Sequence, residues 1–279
     1  ISRFGEAGAR EPFEAAGIET IPADLCDPSV YADLPDAEAV FFLAGKKFGT
    51  SGSPEELRRF NEEMPALVAR RYITSRIVAM STGCVYPFVS PETGGSIETD
   101  APTPVGDYAL SCLGRERAFL EASEAHGTPL ALVRLNYSVD LRYGVLVDLA
   151  AKIVAGEPID VTMGHFNCLW QGDAIAWTIR ALNHAAPAPE AFVLNVTGSR
   201  ILEVREIAES LGAHLNYVVD LTGEEAETAW LSNSEKAHRL FGAPRVSEVT
   251  LLGWVAEWVG LGRPLLGKPT HFEVRDGRY

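Results

Sequence analysis

Arg76-Ile-Val-Ala-Met-Ser-Thr-Gly-Cys-Val-Tyr86 is the stretch on which the fold turns. Ile77 to Met80 is a short unbroken apolar run with no helical spacing, which reads as a strand buried on both faces. Working outward, Glu38-Ala-Val-Phe-Phe-Leu-Ala-Gly45 and Pro129-Leu-Ala-Leu-Val-Arg-Leu135 read the same way. Between them lie two helical stretches, Pro54 to Tyr72 and Tyr108 to Ala125. Alternation of this kind predicts an α/β architecture, a doubly wound parallel sheet covered by helices on both faces. Ligands of such sheets bind beyond the carboxyl ends of the strands. Chemistry is therefore expected just after Ala44, Ser81 and Leu135.

The second half reads as a smaller α+β lobe. Val145 to Ala155 is an amphipathic helix closed by Gly156, and Asp173 to Ala185 is helical. Phe192 to Val196 is a strand, and Glu203 to Leu211 is a helix ended by Gly212. Ser232 to Phe241 and Val249 to Val259 are two further helices. Pro87 to Gly106 is a surface loop, because the sheet resumes after it.

Composition excludes several classes. With 24 Lys+Arg against 38 Asp+Glu in 279 residues, the net charge is −14, which disfavours nucleic acid as a partner. The most hydrophobic stretch is interrupted by Arg134, Asp140, Arg142, Asp148 and Lys152, so no run reaches the ~20 residues of a membrane span. The four cysteines are scattered, with no Cys-x-x-Cys pair, so the plainer reading is a reducing cytoplasm with no metal site. His165 and Cys168 lack the second pair that a zinc site needs. Ile1-Ser-Arg-Phe-Gly-Glu has no signal-peptide pattern.

These segments, taken in order, resemble the extended short-chain dehydrogenase/reductase superfamily, the NAD-dependent epimerase/dehydratase family. Ala23-Asp24-Leu25-Cys26-Asp27 is similar to its acidic turn, in which Asp24 and the backbone of Leu25 would contact adenine. Leu43-Ala44-Gly45 resembles the strand end on which adenosine ribose and pyrophosphate lie, with Lys47 near the phosphates and Asn61 beneath the cofactor. Ser81 and Leu135 stand at cofactor-contacting strand ends. The resemblance makes Thr82 and Tyr108 the catalytic pair: Thr82 bonds the substrate oxygen, Tyr108 passes the proton, and hydride moves to or from nicotinamide. Thr82, Gly83, Asn136, Tyr137 and His165 would face a sugar or nucleotide-sugar substrate, and either Asn136 or Tyr137 could be the one that points at it.

Three departures qualify the resemblance. The Lys of the family's Tyr-x-x-x-Lys motif is replaced by Cys112, and a thiol supplies neither its charge nor its bonds to a ribose. Arg115 and Lys47 are the two candidates for the missing cation; failing both, the chain would be a cofactor- or nucleotide-sugar-binding regulatory protein with impaired catalysis. Gly83-Cys84 stands where dehydratases carry an Asp-Glu pair. Finally, the first strand and its glycine-rich turn are expected to be missing before Ser2-Arg3, where Arg3 would suit the 2′-phosphate of NADP, leaving NAD or NADP open. Gly45-Lys-Lys-Phe-Gly49-Thr-Ser-Gly52 imitates a nucleotide loop, but the Ser81/Thr82 strand follows too soon for a complete adenosine half. Residues 1–136 are expected to form the Rossmann-like NAD(P)-binding domain. Residues 137–279 would be mainly the substrate lobe, with 165–185 and 230–240 returning to the first domain. Pairing of two copies through the 54–72 and 108–125 helices would give a homodimer.

Overall fold

A computed structural model describes residues 1–47 and 53–277; Gly49 and Gly52 of the glycine-rich decoy lie outside them. Four parallel strands form the central sheet: β1 (Ala39–Phe42), β2 (Arg76–Thr82), β3 (Leu130–Leu135) and β4 (Phe192–Val196), in the order β1-β2-β3-β4. The register aligns their carboxyl ends, with Thr82 opposite Leu135 and Leu135 opposite Val196. β4 comes from between the two segments, 165–185 and 230–240, expected to return to the first domain. Ser2 adds an isolated parallel bridge to Pro22.

Side chains alternate along a strand, so the apolar run of β2 serves two cores. Ile77 and Ala79 join Phe42, Leu130 and Leu132 on one face, against Met64, Val68 and Tyr72 and against Phe119 of the long helix α2. Val78 joins Ala131, Val133 and Leu194 on the other, against Ala174, Trp177 and Ala181 and against Ala237. The helices on the first face are α1 (Met64–Arg71) and α2 (Asp107–His126). A third core gathers Leu149 and Ile153 of α3 (Val145–Ala155), Leu211 of a later helix, and Leu251 and Val255 near the end of the chain, around Phe166 and Trp230. Four further helices are α4 (Gln171–Ala181), α5 (Val204–Leu215), α6 (Glu235–Phe241) and α7 (Glu248–Gly260).

Two helices differ from their expected form. The 54–72 stretch is helical at Pro54–Arg58 and in α1, but Arg59–Glu63 between them is a π-helical turn. The widened turn carries Asn61, which is fully buried. α5 runs past Gly212 to Leu215, where Asn216 supplies the left-handed cap (φ 61°) that Gly212 was expected to provide. The 87–106 loop is laced to the lobe by bridges from Val89 to Ala229 and from Ser96 to Ser232. Among the described residues no helix is long and apolar enough to cross a membrane.

Candidate functional site

The aligned strand ends open into a pocket of about 170 Å³. Lys47 reaches it from the segment after β1, Ser81, Thr82 and Cys84 from the end of β2, and Leu135, Asn136 and Tyr137 from the end of β3. Tyr108 enters from the first turn of α2, and Val145 from the first turn of α3. Tyr143 and Thr270 complete the lining. Thus Lys47, Ser81, Thr82, Tyr108, Leu135, Asn136 and Tyr137, named from sequence, come together. Wider clefts of about 360 and 420 Å³ lie along α3 and along a tryptophan-lined face of α7, but neither holds this set of proton-carrying groups.

Thr82 ends its strand in extended geometry, and its Oγ1 accepts the Cys84 N–H at 3.2 Å. Its hydroxyl hydrogen is left to be donated. Ser81 is oriented from behind: its hydroxyl donates to Glu116 Oε1 at 2.5 Å. Glu116 takes two bonds from Arg134, at 2.9 and 2.7 Å, and Arg134 Nη1 donates to the Tyr86 hydroxyl at 2.7 Å. Tyr86 in turn donates to Asn195 at 2.9 Å. This chain of charge-assisted bonds is buried, so each member needs the others. A Cβ at Gly83 would stand 2.8 Å from Asn136 Cβ and 2.9 Å from Ser232 Oγ, so glycine there allows close packing rather than substrate contact.

The centre of the pocket is Tyr108. Burial pushes its phenol well above the usual value; the neighbouring thiols of Cys112 and Cys84 add to the shift, and the Arg115 guanidinium opposes it. The hydroxyl donates to the Cys112 thiol, which burial also holds protonated. Lys47 Nζ sits 5.9 Å from the Tyr108 ring centroid and donates to the Thr270 carbonyl at 3.4 Å. Burial pulls its ammonium pKa down, while Cys84, Cys112 and Asp148 oppose the shift. The backbone before Lys47 is held by Asn61, whose Nδ2 donates to the Lys46 carbonyl and whose Oδ1 accepts the Lys46 N–H, each at 2.9 Å. Arg115 donates to the same Oδ1 at 2.6 Å and to the Met80 carbonyl at 2.9 Å. Of the two cations named from sequence, Lys47 lines the pocket and Arg115 lies behind it.

Asn136 and Tyr137 both line the pocket, but differently. The Asn136 amide is committed to Asn167 Oδ1 at 2.9 Å and the Trp230 carbonyl at 3.3 Å. Tyr137 adopts φ 45°, a left-handed conformation costly for a tyrosine, of the kind that gathers at functional sites. His165 lies elsewhere, paired with Glu203 in a two-stranded ladder, and does not reach the pocket. Cys84, Tyr143 and Thr270 were not singled out as pocket residues. Tyr143 lies in a short connection before α3 and Thr270 beside Gly267 and Pro269, and neither place carries a periodic signal that could have located it.

Arg3, Asp24, Leu25, Leu43, Ala44 and Gly45 lie outside the pocket. Asp24 Oδ1 accepts the Cys26 N–H at 3.0 Å, and its other oxygen stands 3.9 Å from Arg59. The Leu25 carbonyl accepts the Tyr31 hydroxyl at 2.7 Å. Arg3 and Lys46 lie over the Phe60 ring at 5.2 and 5.6 Å. A Cβ on Gly45 would run into the Arg115 guanidinium. As a seat for a dinucleotide, the donor set fits at two ends. An ammonium and two hydroxyls meet in the pocket, and a carboxylate with cations and an aromatic ring lies beyond Gly45. No cluster of three His, Cys, Asp or Glu side chains that could hold a metal occurs among the described residues.

No protein-family model matches the sequence, and no curated protein matches it. Solved structures do. UDP-glucuronic acid 4-epimerase from Bacillus cereus, in complex with NAD, is 17% identical with a TM-score of 0.75, over 94% of this chain and 89% of that one. UDP-glucose 4-epimerase from Thermotoga maritima, with UDP-glucose, is 16% identical with a TM-score of 0.74, over 94% and 90%. RMD from Pseudomonas aeruginosa, complexed with NADPH, is 19% identical with a TM-score of 0.72, over 88% and 92%. The likeness is one of fold, the Rossmann-like α/β architecture expected from the sequence.

Proposed function

We propose that this chain is an NAD(P)-dependent oxidoreductase or epimerase acting on a sugar or nucleotide sugar. The observation that carries the reading is the meeting of Thr82, Tyr108 and Lys47 in one pocket at the carboxyl ends of the strands. Two of the solved proteins of the same fold are complexed with NAD or NADPH, and two of those compared are UDP-sugar epimerases. Thr82 is placed to donate its hydroxyl hydrogen to a substrate oxygen. Tyr108, held as a neutral phenol, would give its proton to a carbonyl oxygen as that oxygen becomes an alcohol, and the phenolate so formed would take the hydroxyl proton back in the oxidising direction. Lys47 supplies the positive charge that the Cys112 position lacks, and its ammonium is placed for a ribose or sugar hydroxyl. Bound nicotinamide would supply or take up the hydride. Asp24 and Arg3 would hold the adenosine end, the Leu43-Ala44-Gly45 strand end would carry the path between, and Asn61 would act by holding Lys46 and Lys47 in place.

The test is titration with NAD and NADP, followed by turnover of UDP-glucose, UDP-glucuronic acid and GDP-sugars. Binding of either cofactor together with turnover that Tyr108→Phe abolishes is expected; absence of binding to both overturns the reading. A second reading, a cofactor-binding protein without turnover, is favoured by one observation: the Tyr108 hydroxyl is engaged by a thiol where a lysine is needed. Activity that emerges only in Cys112→Lys would select it.

A further inference from the structure

Residues 264–277 cross the mouth of the pocket as a strap. Trp258 Nε1 donates to the Pro264 carbonyl at 3.2 Å, and the Leu266 N–H donates to the Arg142 carbonyl at 3.0 Å. At Thr270 the strap is clasped: its N–H and its hydroxyl both donate to Asp148 Oδ2 of α3, each at 2.6 Å. Its carbonyl takes the Lys47 ammonium. Glu273 pairs with Lys152 at 3.0 Å, and Arg275 reaches Thr228 Oγ1 at 2.8 Å while lying 4.3 Å from the Phe88 ring centroid. Gly277 ends against the cap of α2, where a Cβ on Gly106 would stand 2.6 Å from its Cα.

We propose that this strap is a gate: the conformation seen here closes the pocket, and release of the Thr270 clasp admits the substrate. The inference deepens the proposed function, since it concerns access to that same site. Three observations carry it. First, about 170 Å³ is below the ~300–1,000 Å³ of pockets that enclose small ligands, so a sugar ring beside a nicotinamide needs more room than the closed form offers. Second, the strap is the partition that limits that room. Thr270 walls the inner pocket, while Gly267, Lys268, Pro269 and Glu273 wall the outer cleft of about 360 Å³ along α3, so lifting Thr270 would join the two. Third, most of the other walls, Ser81, Thr82, Leu135, Tyr108 and Val145 among them, are strand ends and first turns of helices held by backbone ladders. The strap is held mainly by side-chain bonds, and Phe272 is its one large side chain sealed in a core. Segments so held open at lower free energy than the sheet. The Thr270 carbonyl also takes one of the three N–H donors of the Lys47 ammonium, so a ligand oxygen that binds this cation meets the strap beside it.

Cys84 lines the inner pocket and provides a readout that needs neither cofactor nor sugar. Iodoacetamide labelling of Cys84, read by peptide mass spectrometry, is to be compared among the full wild-type chain, Asp148→Ala and Thr270→Val, with hydrogen exchange of the 267–277 peptide measured alongside. Expected are at least tenfold faster strap exchange and Cys84 labelling in Asp148→Ala, and several-fold increases in Thr270→Val. Cys168, sealed in the lobe core, should stay at its wild-type rate. Faster strap exchange with unchanged Cys84 labelling overturns the gate, and unchanged strap exchange overturns the clasp. If Asp148→Ala exposes Cys168, Thr270→Val alone decides, because it loses only a hydroxyl. Failure of NAD and NADP to bind would leave these rates untouched, so the two readings fall separately.

Discussion

At the scale of single residues, the site turns on how charge reaches Tyr108. Cys112, one turn along the helix from Tyr108, is an uncharged thiol, yet Lys47 arrives from another strand end at 5.9 Å from the ring. Lys47→Met should therefore lower kcat by about 100-fold, the scale of one positioned proton-transfer group. Lys47→Arg should restore little, because a planar fork does not fit where a compact ammonium sits. Steady-state kinetics on wild type and both variants check this. Thr82, Tyr108 and Lys47 were legible in the sequence because each sits at a fixed offset from a strand end or helix start. His165 was misjudged because spacing along the chain says nothing of which side of a lobe a two-residue strand faces. Thr270 was illegible for a different reason: it meets Lys47 across 223 positions, in a segment with no periodicity.

At the scale of elements, the π-helical turn and α2 act as a clamp on the strand ends. Asn61 reaches across from that turn to bind Lys46, Ser111 and Arg115, so its amide sets where Lys47 stands. Asn61→Ala should cost about 2–3 kcal/mol in stability, since it strands buried partners, and should raise KM for the cofactor. Urea unfolding and cofactor titration read the two effects separately. The Glu116–Arg134 pair makes a sharper case. Glu116→Ala leaves a buried guanidinium without its carboxylate and should cost about 3–5 kcal/mol, whereas Glu116→Gln, which keeps an acceptor, should cost less. An equal loss in the two variants would show that charge is not what the pair contributes. The existence and type of β2, β3 and α2 followed from apolar runs and helical composition. The π turn did not, because a one-residue widening leaves no mark in an otherwise amphipathic stretch.

At the scale of the whole molecule, the sheet holds buried phenols that tie stability to pH. Burial raises Tyr86 from 10 to about 12, against the opposing Arg134 charge. A group whose folded pKa is raised contributes stability that is full below its unfolded pKa and lost as pH rises through the folded one. Stability should thus fall between pH 10 and about 12, with about 2–3 kcal/mol of that fall assigned to Tyr86. In Tyr86→Phe the decline across this window should be shallower, as read from urea midpoints at each pH; an unchanged slope would assign it to other groups. The homodimer expected through the 54–72 and 108–125 helices belongs to this scale too. Sedimentation velocity should show a two-chain species that an Asp at Leu110, an exposed apolar residue on α2, disperses. The α/β class and the strand ends were readable from alternation. The membership of β4 in the sheet was not, because a buried five-residue run carries no record of which sheet it joins.

The strap also has a place in time. Among the described residues outside the strap, those that it bonds or packs against, from Lys47 through Gly106 and Asp148 to Thr228, precede it in the chain. Synthesis proceeds from the amino end, and the earlier parts fold first. The nascent protein therefore builds an open pocket before it can build the cover, and a ligand present during translation meets the site with no clasp to displace.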